Sequence, residues 1–139
     1  MAKTSGPIRR ALIQAVRDAP AYSTLTGLFQ AFAPEKAPYP FAVHNWVAAP
    51  YEDAWGSRMI IAAFDLFVFS RDEAEAGGLD QALADALDGA ELTVEDMTSL
   101  ICRRVADVPM PPDLDEEGKK VYQVGGSYEI WTDQPLGGS

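Results

Sequence analysis

The sequence predicts an α+β domain: a small, mostly antiparallel sheet of about four strands with two or three helices packed on it. Three observations lead there. Segments 8–17 and 72–88 repeat apolar residues at helical spacing. Segments 41–48, 58–70, 97–108 and 121–132 are rich in β-branched and aromatic residues, the composition of strands. Their order is helix, strand, strand, helix, strand, strand, which suits hairpin-paired strands with helices gathered on one face. The 139 residues have the size of one ordinary domain, with 1–6 and 133–139 expected to be flexible.

Ser5-Gly6-Pro7 opens the first helix with a capping hydroxyl and a proline near the first helical position. Ile8, Ala11, Leu12, Ala15 and Val16 make one apolar stripe, and Arg9, Arg10, Gln14 and Arg17 lie opposite. Pro20 stops this helix by disfavouring helical backbone in the residue before it. Segment 21–40 reads as a second short helix or turn, from the near-helical spacing of Leu25, Leu28, Phe29 and Phe32. A loop stretched by Pro34, Pro38 and Pro40 follows. Segment 41–48 (FAVHNWVA) is a strand, and 50–56 (PYEDAWG) is a turn or exposed loop.

Segment 58–70 (RMIIAAFDLFVFS) is the most apolar stretch, and both of its faces are apolar. That predicts a central strand covered on both sides. Asp65 is the exception, and it must face an edge, a partner subunit or an arginine. Segment 72–88 is a helix with a candidate break at Gly77-Gly78, acids in its first turn and Gly89 to end it. Segment 97–108 is a strand broken by Pro109–Pro112, and 113–120 (DLDEEGKK) is a polar turn. In 121–132 the alternation puts Tyr122, Val124, Tyr128 and Ile130 inward, and Gly125-Gly126 marks a bulge or a close backbone approach.

The charge balance excludes classes of function. There are 21 acids against 11 bases, a net charge of −10, and the pI is near 4.4. Nucleic-acid readers need clustered Lys and Arg, and docking on an anionic membrane needs the same. The longest apolar run is too short to span a bilayer, and residues 1–7 lack the apolar core of a signal peptide, which predicts a chain made in a reducing cytosol. Cys102, the one cysteine, cannot form an internal disulfide and reads as a small buried hydrophobe.

The catalytic inventory is thin. His44 is the one histidine and stands inside a strand. One His and one Cys cannot build a Cys/His zinc site. Segment 113–118 has an EF-hand spacing to Gly118, but Val124 stands where the twelfth-position Glu belongs. No nucleophile elbow, P-loop or dinucleotide fingerprint is present. Two charge features remain. Segment 72–96 carries nine acids (Asp72, Glu73, Glu75 and Asp80 among them) and no base, while arginines gather at Arg9, Arg10, Arg17, Arg103 and Arg104. Separated acidic and basic faces suit head-to-tail contacts between copies.

Four pieces of the chain, taken in order, resemble a family. They are the helix 8–17 with 25–32; the proline-aromatic entry APYPFAV at 37–43; FDLFVFS at 64–70 with the helix ending LADALDG at 83–89; and the closing strand YEIWT at 128–132. Together they are similar to the tail terminator, or tail completion (head–tail joining), proteins of long-tailed bacteriophages and gene transfer particles. The Gly77-Gly78 pair and the 113–120 turn depart from that pattern.

The resemblance implies a non-enzymatic virion protein without a cofactor. Its expected form is a ring, usually a homohexamer, at the head-proximal end of the tail. It would cap the tail tube protein, end tube growth and meet the head connector or stopper protein, with DNA passing through the lumen without specific binding. Trp46, Trp55, Met59, Asp65, Arg103, Arg104 and Trp131 are the expected subunit-contact residues, because aromatics and Met concentrate at interfaces. Asp72, Glu73, Glu75 and Asp80 are the expected lumen-facing acids, where like charge keeps DNA from sticking. Of loops 50–57 and 109–120, one is expected to touch the tube protein and the other the connector or a neighbouring subunit. Two alternatives stand beside this: a head-completion or stopper ring of the same particle, and a small enzyme or ligand-binding domain using His44.

Overall fold

In the computed structural model, which describes residues 5–54 and 56–135, the order is α1 (Ser5–Asp18), a 3-10 turn (Pro20–Ser23), β1 (Leu28–Gln30), β2 (Phe41–Ala48), β3 (Tyr51–Ala54), β4 (Ser57–Ser70), α2 (Glu73–Leu87), β5 (Thr98–Pro109), β6 (Asp113–Leu114) and β7 (Lys120–Pro135). The main sheet runs β1-β2-β4-β7-β5. β3 pairs with β4 beyond the end of β2, and β6 forms a short hairpin with the start of β7. The architecture is α+β, with seven strands where about four were expected.

The additional strands have clear physical origins. Segment 28–30 is not helical, because Gly27 and its neighbours pair in parallel with β2: the Ala42 N–H bonds the Gly27 carbonyl at 3.0 Å and the Ala31 N–H bonds the His44 carbonyl at 2.9 Å. Long-range pairing outweighs the weak helical spacing there. Segment 51–54, expected as a loop, is a strand because β4 extends far enough to pair with it. Arg58 clamps Asp53 across this hairpin through Nε and Nη2 at 2.6 and 3.1 Å.

β4 is central, as expected, but its cover is one-sided. Ile60, Ala62, Phe64, Leu66 and Val68 are buried, and the intervening side chains are only half-buried. Ile8, Leu12 and Val16 of α1 and Leu79, Leu83 and Leu87 of α2 close over the buried side, together with Tyr128 and Ile130 of β7. Burying each such large side chain stabilises the fold by roughly 1.5–3 kcal/mol. Phe64 and Tyr128 stack at its centre, with centroids 5.3 Å apart and planes within 6°. Among the described residues, no second layer of helices lies on the other side, because α1 and α2 share this one core.

α2 runs through Gly77-Gly78 without a break, since thirteen other residues of good or neutral propensity and the Asp72 cap hold it; the Asp72 carboxylate accepts from the Ala74 N–H at 2.9 Å. β5 carries bulges at Leu100 and Val105, so Ser99 and Cys102 both point inward and Leu100 is exposed. Leu100 and Cys102, two apart in sequence, therefore differ in burial. Gly125-Gly126 is a close approach and not a bulge, because β4 and β7 pair without a register shift from Ser57 to Ser70. A Cβ on Gly125 would fall 2.2 Å from the Leu66 carbonyl oxygen.

Gly125→Ala is therefore expected to destabilise the fold by roughly 1–3 kcal/mol through overpacking. Gly78→Ala, at an open helical position with nothing within 4 Å, should stabilise it by roughly 0.5–1 kcal/mol. Chemical denaturation of both variants checks the pair; equal midpoints would contradict the close approach.

Candidate functional site

Pleating sends Met59, Ile61, Ala63, Asp65, Phe67 and Phe69 of β4 away from the helices, and all six stay half-buried. In register beside them on β7 stand Trp131, Glu129, Ser127 and Gly125. The chain covers one end of this face itself. Phe69 stacks on Phe41 at 5.1 Å, Phe41 on Tyr39 at 5.2 Å, and Arg71 lies 4.8 Å over the Tyr39 ring while pairing with Asp115 at 2.6 Å. The other end, with Met59, Ile61 and Trp131, stays partly open.

Asp65 faces this open side and accepts a hydrogen bond from the Ser127 hydroxyl at 2.6 Å. Trp131 is half-buried, its indole N–H donating to Glu129 at 3.1 Å. Arg103 is exposed on β5, opposite Glu129 in register. Met59, Asp65, Arg103 and Trp131 thus share one side of the sheet. Trp46 lies on the other side: it packs at 4.9 Å on Phe64, and the Arg9 guanidinium sits 5.7 Å from its ring. Trp55 lies outside the described residues.

Arg104 and Asp80, placed by sequence at a subunit contact and in a lumen, are bonded to each other inside the chain. Both Arg104 amino groups bind Asp80, at 2.9 and 3.0 Å. The same two groups donate to the Tyr128 hydroxyl and the Gly125 carbonyl, and Nε donates to Asp107 at 2.9 Å. All five guanidinium N–H groups are therefore used, tying α2 to β5 and β7. Burial raises the Tyr128 hydroxyl to about 12, against the opposing pull of Arg104. The clue in the sequence was that Asp80 sits on the buried stripe of α2 with Ala76, Leu79, Leu83 and Leu87. A charge on such a stripe requires a partner.

The other expected lumen acids, Asp72, Glu73 and Glu75, are exposed at the start of α2, on the helix side of the sheet. They have local work as well. Asp72 caps the helix, Glu75 accepts from the Ser70 hydroxyl at 2.7 Å, and all three suit the positive end of the helix dipole. Cys102 is fully buried, and burial with the nearby Asp88 charge pushes its thiol up to about 12, so it stays protonated and inert.

His44 is buried on the helix side, where its Nδ1 accepts the Trp46 indole N–H at 2.9 Å. Indole donates only, so the ring is neutral with its proton on Nε2. Burial first, then the Arg9 charge, lowers its pKa below 6.5. Among the described residues, no group of three or more His, Cys, Asp or Glu could hold a metal ion, and no helix is long and apolar enough to cross a membrane. An open cleft of about 660 Å³ lies beside the Arg104 cluster, walled by Asp85, Asp88 and Asp107 and by Val108 and Met110.

Arg104, Asp80, Tyr128 and His44 are thus engaged within the chain. Residues 10–133 match the family described as Tail completion protein gp17, and the chain belongs to that family. Its fold is similar to that of a chain in a solved structure described as "Virion of native gene transfer agent (GTA) particle". The TM-score is 0.69 at 16% sequence identity, over 96% of this chain and 99% of that one. No curated protein matches it.

Two predictions test this wiring. Arg104→Met leaves Asp80 buried and unpaired and should cost about 3 kcal/mol or more; adding Asp80→Leu should recover much of it, read by denaturation of both variants. For His44, the folded pKa lies below the unfolded one, so its stabilising contribution is complete above pH 6.5 and is lost as pH falls from there towards the lowered value. Melting at pH 7 and pH 5 should show a larger acid loss in the wild type than in His44→Gln, and parallel losses would refute the neutral buried ring.

Proposed function

We propose that this tail completion protein is a structural part of a phage-like virion. Copies form a ring, taken to be a hexamer, on the last ring of the tail tube, where it ends tube growth and joins the tail to the head connector. The observation that carries this is β4: a central strand with two apolar faces, of which the chain covers only one fully. An apolar side left half-open on the middle strand of a sheet is a surface built for another chain. Met59, Asp65, Arg103 and Trp131 lie on that side and are assigned to contacts with other chains of the particle; Trp46, on the helix side next to Arg9, is assigned to a separate contact near the β2 rim. Arg104 and Asp80 act instead within the subunit.

The net charge of −10 supports passage of DNA without adhesion, since like charges repel within a Debye length of about 8 Å at physiological salt. Asp72, Glu73 and Glu75, exposed at the start of α2, are assigned that part. Membership of the tail completion family and the fold shared with a virion chain support the location at the head end of the tail.

The test is a particle in which Met59 and Trp131 are both changed to Glu. The purified variant should fold yet fail to assemble in sedimentation. Particles made with it should show tails of irregular length and unjoined heads in micrographs. Normal tails with heads attached would overturn the proposal. Capture of the portal complex in place of the tube protein would move the ring to the stopper position.

A further inference from the structure

Antiparallel pairing gathers several connections at one end of the sheet. Phe41 opens β2 opposite Phe69 near the end of β4, Phe69 pairs with Gln123 early in β7, and Val124 pairs with Pro109, where β5 ends. The loop 31–40, Arg71 and the segment 110–120 therefore meet there. Between them lies a second open cleft, of about 800 Å³. The loop contributes Pro34 and Pro38 to its lining, and the β6–β7 hairpin contributes Leu114 and Glu117.

Each of these two segments is weakly anchored by itself. Every residue from Asp113 to Lys120 is exposed except Asp115, and β6 pairs with β7 over two residues only. The turn is closed from within: the Asp115 N–H donates to the Lys119 carbonyl at 2.8 Å, and Asp115 Oδ1 accepts from the Glu117 and Lys119 N–H groups, both at 2.9 Å. The hairpin thus keeps its own shape with almost no burial to hold it in place. In 31–40 the residues are exposed or half-buried, and the Ala37 N–H donates to the Pro34 carbonyl at 3.1 Å. Segments with so few buried apolar contacts open locally at small cost.

Arg71 joins them. It directly follows the last residue of β4, so its backbone is fixed by the central strand. Its guanidinium lies 4.8 Å over the Tyr39 ring and pairs through Nη2 with Asp115 Oδ2 at 2.6 Å. Asp115 therefore gives one carboxylate oxygen to its own turn and the other to Arg71. Tyr39 in turn stacks on Phe41, and Phe41 on Phe69. Among the described residues no hydrogen bond or ion pair runs directly from 31–40 to 113–120. The polar link between the two passes through one guanidinium.

We propose that Arg71 is a latch that makes the 31–40 loop and the 113–119 hairpin open and close beside this cleft as one unit, so that displacing either loop loosens the other. β4 is the fixed post, and the two loops are the moving parts. The device belongs to the single subunit and does not depend on the ring proposed above.

The experiment is amide hydrogen exchange on the full chain, with a substitution in one loop read out in the other. Asp115→Asn keeps an oxygen for the turn N–H groups but removes the charge facing Arg71. It should speed exchange of the Ala37 amide about two- to fivefold, the size of an exposed ion pair or cation–π contact. Tyr39→Leu should speed the Asp115 amide by a similar factor. In Arg71→Gln both amides exchange faster, and adding either substitution then leaves the amide of the opposite loop unchanged. Substitutions that affect their own loop alone overturn the latch, and so do cross-effects that persist without Arg71. Should Arg71→Gln disturb the amides of the β4–β7 ladder, Arg71→Lys provides the second measurement. An ammonium keeps the pair with Asp115 and loses the flat stack on Tyr39. Asp115→Asn in that background should leave Ala37 unchanged, and an Ala37 amide that still responds refutes the proposal.

Discussion

Everything in this fold is keyed to the ladder between β4 and β7. The two strands pair residue for residue from Ser57 with Pro135 to Ser70 with Tyr122, with no shift. Side chains alternate with a period of two, so a slip by one residue would exchange the faces of both strands at once. The register therefore decides that Phe64 and Tyr128 meet in the core and that Asp65 and Ser127 meet outside it. The glycines of β7 belong to the same constraint. Only a residue without Cβ lets the backbone lie this close to Leu66 and to Arg104.

The Arg104 cluster follows from that register. Tyr128 faces the helices, so its hydroxyl is carried to the dry side and needs a partner there. Arg104 supplies it, while Asp80 of α2 balances the guanidinium with two parallel bonds. A buried pair of this kind adds little to net stability compared with well-packed apolar groups. Its effect is geometric: it fixes how α2 lies across β5 and β7, and hence where the acidic side of the molecule stands.

Much of this was legible in the sequence, and the exceptions have physical causes. The helices, the four long strands and the burial of Cys102 follow from local periodicity, because apolar spacing records which face a segment buries. β1 and β3 were not legible, since each is a strand only by virtue of a distant partner. The one-sided cover of β4 could not be read from its own residues; both faces are apolar, and only the placement of α1 and α2 shows which is filled. The pairing of Asp80, expected in a lumen, with Arg104, expected at a subunit contact, was not legible because it spans 24 positions. Met59, Asp65, Arg103 and Trp131 do fall on one side, through strand alternation that was visible once the register was known.

The outer margin of β5 has one more consequence. Cys102 is bonded on its far side by both the Gly89 N–H and the Ala90 carbonyl, at 2.7 and 2.8 Å, so a strap of chain occupies the groups that a foreign strand would need. An unguarded margin of this length is a template for cross-β fibres. A margin strapped in this way is closed at Cys102 to pairing with a foreign strand.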